Sequence, residues 1–229
     1  MAASRQQQKS EASVARTLEA ALTLFSSRGF GATSMRHIAD EAGLSVGNVY
    51  HHFPSKEAIF QRLLDEYWER VTDPELRLNQ VFAAAGFPDD LEELAAAIEE
   101  VVERFRPYIL LIYVDVIEFQ GEHIRSFYAG MAERFGEAYA PRLRERREAG
   151  ELGDVDPVVA VMTATRWFFY FFTVEKCFGV PMHFGMSPEQ AVAEFIRLLR
   201  YGLLPRDGGP GGAPNLPAGE AGATTERET

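Results

Sequence analysis

Apolar residues recur at three- and four-residue spacing along almost the whole chain, and this periodicity most constrains what the chain can fold into. In the first such segment they are Val14, Leu18, Ala21, Leu22 and Phe25, with Gly29 as the expected stop. No sustained stretch alternates apolar and polar residues with the β-branched enrichment that predicts a strand. The spacing therefore predicts an all-α protein of about nine helices, with a small head and a larger bundle.

Capping residues and prolines predict where the other helices begin. Thr33 or Ser34 can cap a second helix, Ser45 a third, and Ser55 a fourth that runs until Pro74. Three of the later helices open on proline, which is favoured in the first helical turn. These later helices are expected at about residues 90–104, 107–119, 122–148, 157–178 and 188–204.

The two ends of the chain differ in composition from the part between them. Residues 205–229 contain six Gly, four Pro, one Leu and no aromatic residue. So little apolar surface cannot offset the entropy of ordering the backbone. We therefore expect a disordered tail over residues 205–229, and a disordered arm over residues 1–9.

Composition argues against several classes of protein. The 229 residues include one cysteine, Cys177, so a disulfide framework and a cysteine-rich metal site are not expected, and a reducing cytoplasm suits the chain. We expect no secretory leader, and charged residues interrupt each apolar stretch before it reaches the ~18 residues of a membrane span. The sequence lacks a P-loop, a GxSxG elbow, an HExxH pair and a partnered Cys–His arrangement, which argues against an enzyme.

The net charge of −11 is unevenly distributed. Residues 1–56 carry six basic and four acidic side chains, whereas the remainder carries 17 basic and 30 acidic ones. Because an acidic body is repelled by a polyanion such as DNA, a chain of this kind would present only its mildly basic head to it.

The sharpest motif is the segment 33–57, TSMRHIADEAGLSVGNVYHHFPSKE. Gly43 can supply the positive φ of a tight turn between two short helices, and Ser45 can cap the second of them. Val49 and Phe53 are expected to face inward. The residues left facing outward, as on a recognition helix in a DNA major groove, are then Ser45, Val46, Gly47, Asn48, His51 and His52.

The stretch TSMRHIADEAGLSVGNVYHHFPSKEAIF resembles the signature of the tetracycline-repressor (TetR) family of bacterial regulators. The resemblance runs from about Ala15 to Phe60 and carries the frame IA-x-x-AG-x-S-x-G-x-x-Y-x-HF-x-SKE. Beyond residue 60 it consists of the helical layout and the GELGDVDP joint. It implies a helix-turn-helix DNA-binding domain over residues 10–56 and a ligand-binding and dimerisation domain over residues 57–204.

Four residues of the head are candidates for contacts with the DNA backbone. The resemblance assigns Tyr50, Lys56 and Thr33 to phosphates, and a phenol, an ammonium and a hydroxyl at a helix N-terminus all suit anions. The alternative for Tyr50 is a place in the core. Arg36, on the preceding helix, can reach the backbone or a groove edge.

Other residues of the recognition helix suit contacts with bases. Gly47 allows a close approach, Asn48 offers an amide donor and acceptor, and Val46 can meet a thymine methyl group. His51 and His52 are adjacent and therefore point about 100° apart on a helix. They cannot chelate one ion together, so we expect phosphate or base contacts from them and no metal site.

Six consecutive aromatic residues, 167–172, lie within the predicted helix 157–178. Consecutive residues cover every side of a helix, so this helix must be contacted on most sides. The TetR resemblance implies that the last two helices of each subunit form a four-helix dimer interface. The sequence leaves open which aromatic residues face a pocket and which face the partner. The interface residues we expect are Phe168, Phe172, Phe195, Leu198 and Leu199.

Aromatic and methionine side chains of the central helices are candidates to line a ligand pocket. Such a lining favours an apolar or aromatic small molecule, and no cofactor is expected. The alternative is that these side chains simply form the core. The candidates are Tyr113, Ile117, Phe119, Phe127, Met131, Trp167, Tyr170, Phe171 and Val174.

Two acidic residues, Asp115 and Glu118, stand in an otherwise apolar stretch, and His123 follows them. One interpretation is that they orient a polar group of a ligand or bind a cation. The interpretation we favour pairs them with basic side chains, because a buried carboxylate needs a partner. The candidate partners are Arg104, Arg106, Arg125 and Arg166.

These observations predict a sequence-specific transcriptional regulator, a homodimeric repressor that an apolar or aromatic effector releases from a palindromic double-stranded operator. The helix beginning at Ser55 is the expected lever, because it runs from the head into the bundle. The alternative is a DNA-bound factor of the same fold, without an inducer, whose bundle docks a protein. A cavity beside Tyr113 and Trp167 would favour sensing, and a filled bundle would favour the alternative.

Overall fold

The computed structural model describes residues 5–84, 86–153 and 155–203, without the side chains of residues 5, 126, 127, 131, 132, 134, 135, 138, 202 and 203. Over this part of the chain the regular structure is entirely helical, which confirms the all-α prediction. The helices are α1 (Arg5–Arg28), α2 (Met35–Ala42), α3 (Val46–His52), α4 (Lys56–Val71), α5 (Arg77–Ala84), α6 (Leu91–Arg104), α7 (Arg106–Glu118), α8 (Ile124–Glu148), α9 (Pro157–Phe172) and α10 (Pro188–Leu203), with a π-helical turn (Thr173–Cys177) after α9.

Three features of this layout differ from the sequence prediction. The helix α1 begins at Arg5, so residues 5–9 of the predicted arm are helical; residues 1–4 and the predicted tail, 205–229, lie outside the described residues. The helix α5 was not predicted, because its eight residues bury only Leu78 and Val81, too few to show a period. The predicted helix 157–178 changes to π-helical geometry at Thr173.

The helix α9 lies inside the bundle, where it packs against α6, α8 and α10. The segment Pro157–Cys177 is long and apolar enough to meet the criteria for a membrane span, with mean hydropathy 1.3, contrary to our sequence expectation. Within this window 44% is buried by the rest of the chain. Its apolar character is therefore explained in part by its place in the core of the bundle, and others of its apolar side chains lie on the surface.

One aromatic cluster joins the head to the bundle. Phe25 of α1 and Phe60 of α4 are fully buried, and their ring centroids are 5.7 Å apart. Phe30, between α1 and α2, lies 5.5 Å from Phe60 and 4.7 Å from Phe119, which follows α7. The head consequently shares a continuous core with the bundle, and α7 packs directly against α1 and α4.

Candidate nucleic-acid interface

Three serine hydroxyls fix the starts of the helices that form the head. Ser34 is the cap of α2: its Oγ accepts from the His37 amide at 3.1 Å, and the Ser34 amide donates to His37 Nδ1 at 3.3 Å. Ser45 Oγ accepts from the Asn48 amide at 3.1 Å to begin α3, and Ser55 caps α4 in the same way. Of the two predicted caps for α2, the structure selects Ser34.

The turn between α2 and α3 has the geometry that the motif predicts. Gly43 has φ +61°, a left-handed conformation that favours glycine, and its amide closes the C-terminus of α2. Arg16 of α1 donates to the carbonyls of Ala42 and Gly43, so α1 braces the same turn from behind. Ile38 and Val49 are fully buried beneath it. The helices α2 and α3 are therefore held as one rigid unit.

The outer surface of α3 is open to solvent at the positions predicted to face DNA. Tyr50 is 51% exposed, which rules out the alternative that it belongs to the core. Ser45, Gly47 and His51 are exposed, whereas Val46, Asn48 and His52 are half-buried. A methyl group at Gly47 would meet no atom within 4 Å, so the chain's own packing does not require glycine there.

The Asn48 side chain carries an unmet hydrogen-bonding capacity. Its Oδ1 is buried and has no hydrogen-bond partner in the described part of the chain. An unpaired buried polar atom costs about 1 to 3 kcal/mol, and rotation of the amide toward a base edge would relieve that cost. This observation supports the prediction that Asn48 meets a partner outside the chain.

The predicted phosphate contacts differ in how accessible they are. Arg36 is exposed on α2. Thr33 is only 2% exposed and its hydroxyl donates to the Gly29 carbonyl at 2.8 Å, so the predicted phosphate contact of this side chain is wrong. The Lys56 ammonium donates to the carbonyls of Phe30 at 2.7 Å and Thr33 at 2.8 Å. It also lies 4.0 Å from the centroid of the Phe30 ring.

In the bundle, the predicted pocket residue Trp167 is covered on both faces of its ring. The Phe195 ring stacks on it with a centroid separation of 3.8 Å, and the Phe171 ring with 4.9 Å. Phe171 is itself buried, and Val174 is half-buried. Tyr113 is half-buried and meets the edge of Phe178 at 5.1 Å. The rings around Trp167 therefore fill the space beside it.

Other predicted pocket residues lie on the surface or at the junction with the head. Ile117 is 78% and Tyr170 is 60% exposed, so neither lines an enclosed cavity within the single chain, and their contact with a ligand stays a prediction. Phe119 stacks on Phe60 at 4.8 Å, in the junction. The side chains of Phe127 and Met131 lie outside the described residues.

The predicted dimer residues divide into two groups. Phe168 and Phe172 have 0% and 3% exposure within a single chain, so the prediction that they meet a partner is wrong. They point inward because α9 packs on several helices at once. Phe195 stacks on Trp167, Leu199 is half-buried, and Leu198 is exposed. Among the described side chains of α9 and α10, the large apolar ones left exposed are Val159, Tyr170, Leu198 and Tyr201.

The acidic residues of α7 have partners that sequence reasoning missed. Asp115 is fully buried; its Oδ1 lies 2.6 Å from His123 Nδ1, and its Oδ2 accepts from the Ile124 amide at 3.2 Å. Glu118 accepts from the backbone amides of Phe30 and Gly31 in the head. The predicted pairing of these two carboxylates with arginines is therefore wrong. Backbone amides that lie 87 and 88 residues away leave no local sequence signal.

A second feature missed from the sequence is an open, charged groove of about 860 Å³. Arg146 crosses it and donates to Asp89 and Glu151. Burial raises the pKa of Asp90, which also lines it. The groove is polar and lies away from the predicted aromatic pocket. Its lining residues are Gly86, Asp89, Asp90, Glu92, Glu93, Arg142, Glu145, Arg146, Ala149 and Glu151.

The described residues include no group of three or more His, Cys, Asp or Glu side chains arranged to hold a metal ion. His51 and His52 contact each other through their rings, with centroids 5.0 Å apart. The chemistry that the head offers is therefore hydrogen bonding and apolar contact from one exposed helix surface.

Comparisons with known proteins find similar chains among bacterial regulators. Residues 18–63 match the family model described as bacterial regulatory proteins, tetR family. The chain is 28% identical over 150 residues to the uncharacterized HTH-type transcriptional regulator YfiR of Bacillus subtilis, which covers 64% of this chain and 71% of that protein. It is 36% identical over 99 residues to the HTH-type transcriptional repressor KstR2 of Mycolicibacterium smegmatis, covering 43% of this chain and 46% of that protein.

Among solved structures, the ketosteroid transcriptional regulator KstR2 of Mycobacterium tuberculosis resembles this chain with a TM-score of 0.57. The sequences are 20% identical, and the alignment covers 84% of this chain and 95% of that one. At this identity the likeness is one of fold. It extends over both the head and the bundle.

Proposed function

Because this chain belongs to the tetR family of bacterial regulatory proteins and is a DNA-binding transcriptional regulator, we propose that it acts as a homodimeric repressor of a palindromic operator. An apolar or aromatic small molecule releases it from the DNA. Its action is binding, without catalysis, and it operates in the cytoplasm, where chromosomal DNA is accessible.

The observation that carries the proposal is the open surface of α3 on a rigid support. Tyr50 is half-exposed, Gly47 leaves room for a close approach, and the buried Asn48 oxygen is unpaired among the described residues. A phenol suits phosphate, and an amide suits a base edge in the major groove. The acidic body disfavours any orientation that turns the bundle toward DNA.

Dimerisation is supported by the apolar side chains that α9 and α10 expose. Tyr170, Leu198 and Tyr201 are 60%, 67% and 71% exposed, and they lie on two helices that pack against each other. A second copy covering them would place two α3 helices to read half-sites about 34 Å apart.

Gating by an effector is supported by the aromatic surroundings of Tyr113, which include Phe178 and lie next to the π-helical turn. Local π-helical geometry frequently occurs at functional sites. The stacking of Phe195 and Phe171 on Trp167 favours the second candidate function, a DNA-bound factor without an inducer. A screen for molecules that lower operator affinity distinguishes the two.

Fluorescence anisotropy tests the DNA-binding proposal. The probe is a duplex selected from a random-sequence library, titrated across a salt series with wild type, Asn48→Ala and Gln80→Ala. Gln80 is an exposed amide on α5 and serves as the matched control. We expect nanomolar, salt-sensitive binding by wild type and the control, and reduced discrimination between selected and random duplexes by Asn48→Ala. Weak binding of all duplexes alike by wild type would refute the proposal.

A further inference from the structure

Two charged side chains stand at helix ends where the helix dipole opposes them. Lys56 is the first residue of α4, where the partial charge is positive, and Glu118 is the last residue of α7, where it is negative. Both contact the same short segment, the loop 29–34 that joins α1 to α2. Lys56 binds its carbonyls and Glu118 binds its amides. These contacts compensate the unfavourable positions of the two charges.

The Glu118 carboxylate is bound by both of its oxygens. Oε1 accepts from the Phe30 amide at 2.8 Å, and Oε2 accepts from the Gly31 amide at 2.6 Å. A Cβ atom at Gly29 or Gly31 would stand 2.9 or 3.0 Å from these oxygens, so the two glycines leave the room that the carboxylate occupies. Hydrogen bonds to an ionised acceptor are shorter and stronger than neutral ones.

The neighbouring residue reinforces the same contact. The Phe119 ring lies 4.7 Å from the Phe30 ring and 4.8 Å from Phe60 of α4. The C-terminal end of α7 therefore contacts the loop twice: Glu118 binds the loop's backbone amides, and Phe119 packs against the Phe30 ring of the loop. Because the loop leads directly into Ser34 and α2, its position sets where α2 and α3 stand relative to the bundle.

The same turn of α7 is also tied to the bundle. The buried Asp115 carboxylate accepts from the amide of Ile124, the first residue of α8, and pairs with His123. Three residues later, Glu118 binds the head. A rotation or shift of α7 relative to α8 must therefore move or break one of these two carboxylate contacts.

We infer that Glu118 is a positioning residue that couples the conformation of the bundle to the position of the DNA-binding head. The inference deepens the proposed function, and it adds to α4 a second connection between the two domains. By linkage, a contact that lets the bundle alter DNA affinity also lets DNA alter the bundle. The connection can therefore be measured with DNA alone as the ligand.

The first measurement uses the free protein and is independent of DNA. Amide-resolved hydrogen exchange is compared between wild type, Glu118→Gln, and Glu122→Gln, an exposed control with the same change of charge. In Glu118→Gln, the loss of one charge-assisted hydrogen bond should accelerate exchange of the Phe30 and Gly31 amides roughly fivefold to tenfold. Unchanged exchange at both amides in Glu118→Gln would overturn the inference.

The second measurement adds the selected DNA duplex and monitors the Ile124 amide at the start of α8. In wild type and Glu122→Gln we expect duplex binding to change its exchange about fivefold or more. Glu118→Gln should abolish this response. Gly31→Ala should reduce the response from the head side with the charge retained, since its Cβ would stand 3.0 Å from Glu118 Oε2 and displace the carboxylate.

The outcomes separate the two proposals. If Glu118→Gln binds DNA and still transmits the full response to Ile124, or if wild type shows none, the inference is wrong. If no duplex binds wild type, the proposed function fails, while exchange at Phe30 and Gly31 in the free protein still decides the role of Glu118. If circular dichroism shows that Glu118→Gln does not fold, Gly31→Ala, which retains the Glu118 carboxylate, decides the second measurement.

Discussion

Replacement of Lys56 by methionine separates two roles that a lysine at this position can have. A contact with DNA phosphate follows from the family resemblance, whereas in the structure the ammonium donates to the carbonyls of Phe30 and Thr33. Methionine keeps an apolar stem against the Phe30 ring and removes only the charge and the donors. Lys56→Met therefore tests whether the ammonium acts within the chain or on DNA.

The expected loss of stability follows from the two hydrogen bonds. Each joins a charged donor to a neutral carbonyl at 2.7 or 2.8 Å, on a side chain that is largely covered. Bonds of this kind contribute about 1.5 to 3 kcal/mol each, and because two bonds from one ammonium are not additive, we expect about 2 to 4 kcal/mol in total. Urea unfolding of the free protein measures this as a lower midpoint at unchanged slope.

Salt dependence of DNA affinity supplies the discriminating result. A lysine that neutralises a phosphate contributes about one unit to the slope of log affinity against log salt. We expect Lys56→Met to weaken DNA binding with the slope unchanged, because the loop is disturbed and no phosphate contact is lost. Arg36→Met is the matched control: its guanidinium is exposed on α2, so the slope should fall while stability stays constant.

The opposite pattern would refute this reasoning. If Lys56→Met unfolds at the wild-type midpoint and its salt slope falls by about one, the ammonium binds phosphate in the complex. Its bonds to the loop would then contribute no net stability. A loss of both stability and slope would show that one lysine serves loop and DNA together.

Three further predictions follow from burial and exposure. Phe60→Ala should lower the free energy of unfolding by about 3 to 5 kcal/mol, measured by urea denaturation, because this ring is fully buried at the junction of head and bundle. Leu198→Glu should shift the protein to monomer in analytical ultracentrifugation and abolish operator binding, whereas Val180→Glu, exposed in the loop before α10, should do neither. Burial raises the pKa of the Cys177 thiol, so its contribution to stability is complete below the unfolded pKa of about 8.5 and is lost as pH rises through the folded value. The stability of wild type relative to Cys177→Ala should accordingly decline in urea titrations above that pH, and a constant difference would contradict the assignment.

The head could be derived from sequence because its signals are local. Ser45 and Asn48 are three residues apart, and the φ of Gly43 is a property of one residue within a short turn. Helical periodicity predicted that Gly47 lies on the open face, and the family resemblance implied the same for Tyr50; the structure finds both exposed. Thr33 was misassigned because a cap and its neighbour are indistinguishable until the loop is built.

The bundle shows why the aromatic residues were harder to assign. Six consecutive aromatic side chains give no periodicity, so burial on each side of α9 depends on which helices pack there. Phe168 and Phe172 face the chain's own core, whereas Tyr170, between them, faces solvent. The sequence therefore shows that α9 is apolar on every side, but it does not show which helices cover each side.

The sequence by itself determined that the chain is helical, where its helix-turn-helix lies and which surface of α3 is free, because caps, turns and periodicity act over a few residues. Only the tertiary structure decided the partners of Lys56, Asp115 and Glu118. These partners are backbone groups or a histidine between 8 and 88 residues away along the chain. Every residue except proline carries the same backbone amide, so residue identity does not mark an amide as the partner of a distant carboxylate.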